Sequence, residues 1–346
     1  MNGNQERSCL TAALHGAVKS HSLLVYLHVC LSFSLALSAA RGAVTDTCKN
    51  LKKQCEAINA EAVTLAVEDM GKRFSGRYDV SKHRSAADAF ARNREALIKS
   101  LGAGKVEEVE KAAKLLAGVR AALLANPLLD GEKILFVRRN ISSGARQDVR
   151  GSEGTTQKLG FISLNSRCHV TIARKGWQDE ITVLSEIRGE PKLTTLYKPD
   201  QDVIVRDVDL DFTGSRLMFS SLDTNRQWAV YEIGADGKHL KQVSPSAYRD
   251  VEWFNAKYLP DGRVIMLSTA SYQGLPCEGG STPMALLYLM DSTSGSIRRL
   301  TYEQDSDYTP SITGDGRILY TRWEYSDLSH YFGRRLMTMN PDGTAQ

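Results

Sequence analysis

Cysteine is scarce, at six in 346 residues, too few for a small fold built from disulfides. Charge of one sign is not in excess. Lys and Arg number 44 against 40 Asp and Glu, a net charge of +4 spread evenly along the chain, which argues against nucleic acid as a partner. Long apolar runs are missing except for one near the N-terminus. No Cys-x-x-Cys-His, Gly-x-Ser-x-Gly or His-Glu-x-x-His occurs, so the sequence offers no covalent haem site, serine-hydrolase elbow or zinc-protease helix. Gly104-Lys105 lacks the upstream glycine of a phosphate loop. What remains is 42% hydrophobic and 24% charged, the profile of a globular protein rather than a disordered, collagen-like or polytopic membrane chain.

The one apolar run extends from Leu23 to Ala39, with Arg7 and Lys19 before it and Ser38, Ala39 and Ala40 at its end. A basic lead, an apolar stretch and a small-x-small site describe a secretory signal peptide over 1–40. The expected location is therefore periplasmic or extracellular, with membrane contact only through an uncleaved signal. Export would leave Cys48, Cys55, Cys168 and Cys277 in an oxidising compartment. Cys48 and Cys55 share one helical face but lie about 10 Å apart along it, too far to bridge in a straight helix.

Residues 41–126 read as a helical segment without proline. Helices are expected at about 45–73, 85–101 and 105–125, and Asn126-Pro127 ends them. Leu115, Leu116, Val119, Leu123 and Leu124 form one apolar stripe. Nothing in this segment points to chemistry, and its expected role is packing or dimerisation.

After Gly131 the texture changes to short β-branched and aromatic runs, starting with Lys133–Val137. Asn140–Gly160 is polar and reads as a long loop. From residue 200 the chain repeats. The turn glycines Gly214, Gly262 and Gly316 recur about every 50 residues, each followed by a strand. Each unit holds an inner strand, a glycine turn, two more strands and a fourth ending in Val-Ser or Leu-Thr. Residues 133–137 with 181–197 form most of an earlier unit interrupted by a long insertion. The expected fold over 127–346 is mainly β, a partial β-propeller of four-stranded blades, preceded by the α-helical segment. Propellers close with about four to eight blades. Two complete units, a loose earlier one and a last one stopping after Pro341-Asp342-Gly343 point to the front part of a longer protein.

The stretches ALLANPLLDGEKILFVRR (122–139), EITVLSEIRGEPKLTTLYKP (180–199), VRDVDLDFTGSRLMFS (205–220), YLPDGRVIMLSTASYQGLPCEGGS (258–281), LYLMD (287–291) and GRILYTRWEYSDLSHYFGRRLMTMNPDGT (316–344) resemble the hydrazine synthase alpha subunit-like proteins, exported bacterial proteins related to TolB-type propellers. The resemblance spans roughly 120–346. It implies TolB-like blades and, in hydrazine synthase itself, c-type haem chemistry. The family usually carries a Cys where Ser271 stands, and His and Trp or Cys near Ser306, Tyr308 and Thr309. Those replacements remove potential ligands.

Several residues are candidates for function. Cys277 sits in a Gly/Pro-rich insertion, and the family keeps a Cys there. His330, with Asp327 and Glu324, lies in a second insertion. Cys277 and His330 could join in a metal site, although a structural zinc needs four ligands. The alternative is a buried or bonded Cys and a loop His held by backbone. Trp323, Asp327 and Tyr331 are the candidate binding residues. Asp207, Asp209 and Asp211 alternate as calcium ligands do, but Phe212 stands where such a loop needs glycine. The competing expectation is a propeller strand with Val208, Leu210 and Phe212 on its buried face and its acidic side facing the central channel or its mouth. Trp177, Trp228, Trp253 and Tyr320 read as packing between blades. Cys168 and His169 adjoin, and in a strand neighbours point to opposite faces, against a catalytic dyad.

The function expected is an exported binding or scaffold module whose loops at one propeller mouth recognise a protein, peptide or glycan without turnover and without a cofactor. The alternative is a subunit or fragment of a haem- or metal-dependent redox enzyme of the hydrazine synthase alpha type.

Overall fold

The computed structural model describes residues 46–140, 159–162, 167–324 and 333–346. The expected signal peptide lies outside them. Among the described residues no helix is long and apolar enough to cross a membrane. The chain divides into two compact units, Met1–Glu132 and Lys133–Gln346.

The first unit is helical. Helix α1 covers 46–57, followed by α2 (Ala60–Arg73), α3 (Val80–Gly102) and α4 (Val109–Leu124). The single helix expected over 45–73 is thus two. Asn59 caps α2 by accepting from the amide of Ala62, while Arg94 collects the carbonyls of Cys55, Glu56 and Ile58 at the end of α1. Both helix ends gain partners at the break, which offsets the lost turn. Helix α3 starts earlier than expected because Asp79 accepts from Lys82. Cys55, Val67, Phe90 and Val119 fill the core of this unit. The Tyr78 hydroxyl donates to Ala122 O at 2.9 Å.

The second unit holds four antiparallel meanders. Blade I contains β1 (Ile134–Arg138), β2 (Glu180–Ser185) and β3 (Lys192–Tyr197). Blade II contains β4 (Arg206–Leu210), β5 (Arg216–Leu222), β6 (Trp228–Gly234) and β7 (Lys241–Gln242). Blade III contains β8 (Trp253–Tyr258), β9 (Val264–Ser268), β10 (Leu286–Met290) and β11 (Ile297–Arg299). Blade IV contains β12 (Asp307–Ile312), β13 (Ile318–Trp323) and β14 (Arg334–Met339). Consecutive blades pack face to face. Ile181, Val205, Leu217 and Phe219 fill the seam between I and II. Met218, Val230, Val264, Met266 and Tyr288 fill that between II and III. Ile265, Leu287, Ile318, Tyr320 and Met339 fill that between III and IV. Each such fully buried aliphatic side chain contributes roughly 1.5–3 kcal/mol. The architecture is a run of propeller blades, as the repeat indicated.

One backbone feature marks the first strands of blades II, III and IV. Asp207, Asn255 and Thr309 adopt left-handed backbone at φ 53°, 53° and 43°. Each stands at the same distance before its turn glycine, Gly214, Gly262 or Gly316. The pairing register slips there between Arg206 and Asp209, Phe254 and Lys257, and Tyr308 and Ser311. These are β-bulges, which bend a strand and re-aim its side chains.

Val208 packs against the seam between blades I and II as expected, but beyond the bulge the expected burial fails. Leu210 and Phe212 are exposed, and the aspartates point inward to partners. Asp207 meets His169. Asp209 accepts from Lys257 Nζ and the amide of Tyr258, both at 2.9 Å. Asp211 accepts from the amide of Ser215 at 2.8 Å inside the turn. Among the described residues no group of three His, Cys, Asp or Glu is placed to hold a metal ion.

Candidate functional site

An antiparallel meander sends alternate connections to opposite ends of its sheet. At one end lie the short glycine turns, closed by hydrogen bonds such as Gly262 N to Leu259 O at 3.0 Å and Gly316 N to Thr313 O at 2.9 Å. At the other end lie the long connections, 139–179, 243–252, 269–285, 300–306 and 324–333. The sequence insertions singled out for function all fall at this second end.

There, beside blade IV, a cavity of about 280 Å3 is lined by Tyr302, Glu303, Gln304, Asp305, Arg322, Trp323 and Glu324. Two short segments build it: the connection from β11 into β12, and the end of β13. They are locked together by Trp323 N, which donates to Ser306 O at 3.1 Å. The Trp323 side chain is buried, and the Arg334 guanidinium lies 5.1 Å from its ring centre. That contact adds a cation–π attraction at the cavity wall.

Arg322 is the hub beneath the cavity. Its Nη1 meets Glu303 Oε1 at 2.9 Å and its Nε meets Asp307 Oδ1 at 3.3 Å. Its Nη2 donates to the Tyr320 hydroxyl at 2.8 Å and to Gln346. Asp307 is fully buried and accepts from the Thr301 hydroxyl at 2.5 Å. Burial pushes its carboxyl up to about 6, against the pull of Thr301 and Arg322. With Arg322 so engaged, Glu303, Asp305 and Glu324 give the cavity an acidic wall.

Of the sequence candidates, Trp323 lines this cavity. Cys277 is exposed on a short 3-10 turn, Pro276–Glu278. Partial burial, then the carboxylates of Glu278 and Asp305, raise its thiol above the ordinary value while Arg167 opposes them. The Cys277 turn is thus within electrostatic reach of the Asp305 wall. Asp327, His330 and Tyr331 lie outside the described residues. Their insertion leaves at Glu324, whose amide donates to Gly333 O at 3.1 Å, so its stem stands at the cavity rim. Glu303, Asp305 and Arg322 were not singled out as binding residues. The signal for them was the acidic pattern Asp305-x-Asp307 ahead of β12 and an arginine inside an aromatic strand.

A second polar constellation holds the same end together. Residues 167–179 form a strap across the blades. Arg167 pairs with Glu278 at 2.8 Å, and Cys168 Sγ donates to Pro283 O at 3.3 Å. His169 Nε2 lies 2.8 Å from Asp207 Oδ2, and Trp228 Nε1 donates to His169 O at 2.9 Å. Arg174 pairs with Glu252 at 2.8 Å. Gly176 N donates to Asp202 at 2.9 Å. Burial alone would raise the Asp207 carboxyl. His169, Arg206 and the Ser220 hydroxyl prevail and hold it far below the usual range. Cys168 and His169 stand on a 3-10 turn rather than a strand, and the burial of both leaves no room for a dyad to meet substrate.

No protein-family model matches the chain, and no curated protein sequence matches it. Among solved structures, hydrazine synthase from Kuenenia stuttgartiensis is similar at a TM-score of 0.46 and 15% identity, over 62% of this chain and 31% of that one. TolB from Acinetobacter baumannii is similar at 0.33 and 16%, over 47% and 38%. The β-propeller domain of the trilobed protease from Pyrococcus furiosus is similar at 0.30 and 17%, over 48% and 42%. The chain spans about a third of the hydrazine synthase chain it matches. These are likenesses of architecture, and the first two fall in the groups that the sequence resemblance named.

Proposed function

We propose that the chain is an exported recognition module that binds a protein or peptide, without turnover, at the long-connection end of its propeller blades. The observation behind this reading is the cavity between Tyr302–Asp305 and Arg322–Glu324. It combines an aromatic wall with hydrogen-bonding groups, the make-up of a small polar subsite rather than an apolar cofactor cleft. Glu303 and Glu324 favour a basic side chain over an anionic one, and a peptide with exposed Lys or Arg over a neutral glycan. Export rests on the basic, apolar and small-residue pattern of residues 1–40.

The test is a peptide and glycan array probed with purified protein, followed by calorimetry on any hit. Binding of Lys- or Arg-containing peptides, weakened about tenfold by Glu303→Gln, supports the reading. Tenfold corresponds to about 1.4 kcal/mol, the scale of one charge-assisted hydrogen bond. Peptide binding that is indifferent to both Glu303→Gln and Glu324→Gln overturns it.

A further inference from the structure

We propose that the cavity beside blade IV is one end of a longer site, whose occupant is an extended peptide with two basic residues, one in the cavity and one beside Asp250. This rests on the recognition reading above and names the kind of peptide that reading leaves open.

Tyr248, Tyr272 and Tyr302 stand out at the long-connection end, 67%, 64% and 72% exposed. They lie on three connections: 243–252 from blade II to blade III, 269–285 within blade III, and 300–306 from blade III to blade IV. A chain of contacts links them. The Tyr272 hydroxyl donates to Asp250 Oδ1 at 3.4 Å. Desolvation, then Asp250 and Tyr248, raise that hydroxyl above its ordinary value, so Tyr248 is within its electrostatic reach. Next along the chain, Gln273 Oε1 accepts from Arg299 Nη2 at 3.1 Å. The Arg299 guanidinium lies 4.7 Å from the Tyr302 ring centre, and the Tyr302 hydroxyl donates to Arg299 O at 3.4 Å. Tyr302 in turn lines the cavity. The order is Tyr248, Tyr272, Arg299, Tyr302 and the cavity, a strip across the long-connection end of blade III.

Its chemistry selects the occupant. Tyrosines give rigid, amphipathic contact area at low entropic cost, and their ring faces attract cations. Carboxylates stand at both ends, Asp250 at one and Glu303 and Glu324 at the other. The cation between them is engaged within the strip. Arg299 Nε donates to Thr301 O at 2.6 Å, while its Nη2 serves Gln273 and its plane covers one side of Tyr302. Arg249 precedes Asp250 in the sequence, but it is the Asp250 carboxylate that Tyr272 ties to the strip. A neutral glycan would leave both acidic ends without a counter-charge. An extended peptide can bring a cation to each and lay its intervening residues on the rings. Joining two weak contacts in one ligand makes the second intramolecular, so the pair binds more tightly than either alone.

Calorimetric titration of the full chain with synthetic capped peptides tests this. Each peptide carries one lysine, a Gly-Ser spacer of varied length and either a second lysine or glutamine. At a best spacing the two-lysine peptide is expected to bind about tenfold more tightly than its glutamine counterpart. Asp250→Asn and, independently, Tyr272→Ala remove that advantage and leave the one-lysine affinity unchanged. Asp236→Asn, on a short turn at the other end of the blades, changes neither. If the one-lysine peptide binds and Glu303→Gln weakens it, but a second lysine adds nothing at any spacing, the two-ended site is overturned and the recognition reading stands. A gain from the second lysine that survives Asp250→Asn also overturns the site, since it would be general attraction to a charged peptide. Failure of every lysine peptide to bind overturns both.

Discussion

His169 Nε2 sits 2.8 Å from Asp207 Oδ2, and its ring stacks on Phe254 with 4.4 Å between centroids. Asp207 is the bulge residue of β4, so its left-handed backbone aims the carboxylate at the strap rather than out to solvent. A local irregularity in one strand thus fixes a segment inserted into another blade.

Removing the histidine leaves a buried carboxylate with fewer partners. Burial lowers the imidazole's pKa and favours its neutral form, so His169→Ala is expected to cost about 1–3 kcal/mol, the range for leaving a buried polar group without its hydrogen-bond partner. Asp207→Asn, which keeps a hydrogen bond, is expected to cost about 1–2 kcal/mol. Urea denaturation measures both. A loss below about 1 kcal/mol in His169→Ala would show that the strap does not depend on this pair.

Asp307 makes stability depend on pH. Its folded carboxyl titrates near 6, against about 3.9 for an unfolded aspartate. Between these values the folded state holds a proton that the unfolded state has lost. Stability contributed by this group is full below about pH 4 and is lost as pH rises through 6. Thr301, Arg322 and Glu303 are the groups that face it. Relative to Asp307→Asn, the wild type should lose roughly 2–3 kcal/mol between pH 4 and pH 7. Parallel stability curves for the two proteins would contradict the shift.

Thr309 offers the opposite kind of change. A β-branched residue at φ 43° costs about 1–2 kcal/mol relative to ordinary backbone. Thr309→Gly removes that strain, partly offset by a more flexible unfolded chain. A net gain of up to about 1 kcal/mol is expected in the melting transition. The equivalent Asp207→Gly should destabilise, because it deletes the partner of His169. The same sign at both positions would refute the account.

Thiol labelling separates the cysteines. Cys48, Cys55 and Cys168 are buried and Cys277 is exposed. Burial pushes the Cys168 thiol up to about 12, so no thiolate forms at neutral pH. Of these four, only Cys277 should react with maleimide in the native protein, and Cys168 only after unfolding, as read by peptide mass spectrometry. Native labelling of Cys168 would contradict its packing against Pro283.

The blades were legible because each repeats three times what it needs. Gly214, Gly262 and Gly316 must turn left-handed where other residues are strained, and strand alternation follows from them. Trp323 was legible for the same reason, as an aromatic ending a strand next to an insertion. The strap was not. Arg167 and Arg174 meet partners of blade III, His169 one in blade II and Gly176 one just ahead of it, and such single long-range pairs leave no period in the sequence. The burial expected of Leu210 and Phe212 failed because alternation assumes an unbroken strand, and the bulge at Asp207 breaks it. Arg322 was hidden by its setting, since an arginine in an aromatic strand declares its role only when Asp307 and Glu303 are placed beside it.

Stacked repeats ordinarily touch only their neighbours, so they can melt one at a time. The strap denies this chain that freedom. Tied to Asp202 ahead of blade II, to Asp207 within it, and to Glu252, Glu278 and Pro283 of blade III, it makes the release of any one of these blades break polar contacts at the others. Blades I, II and III are thereby coupled into one cooperative body at their long-connection end.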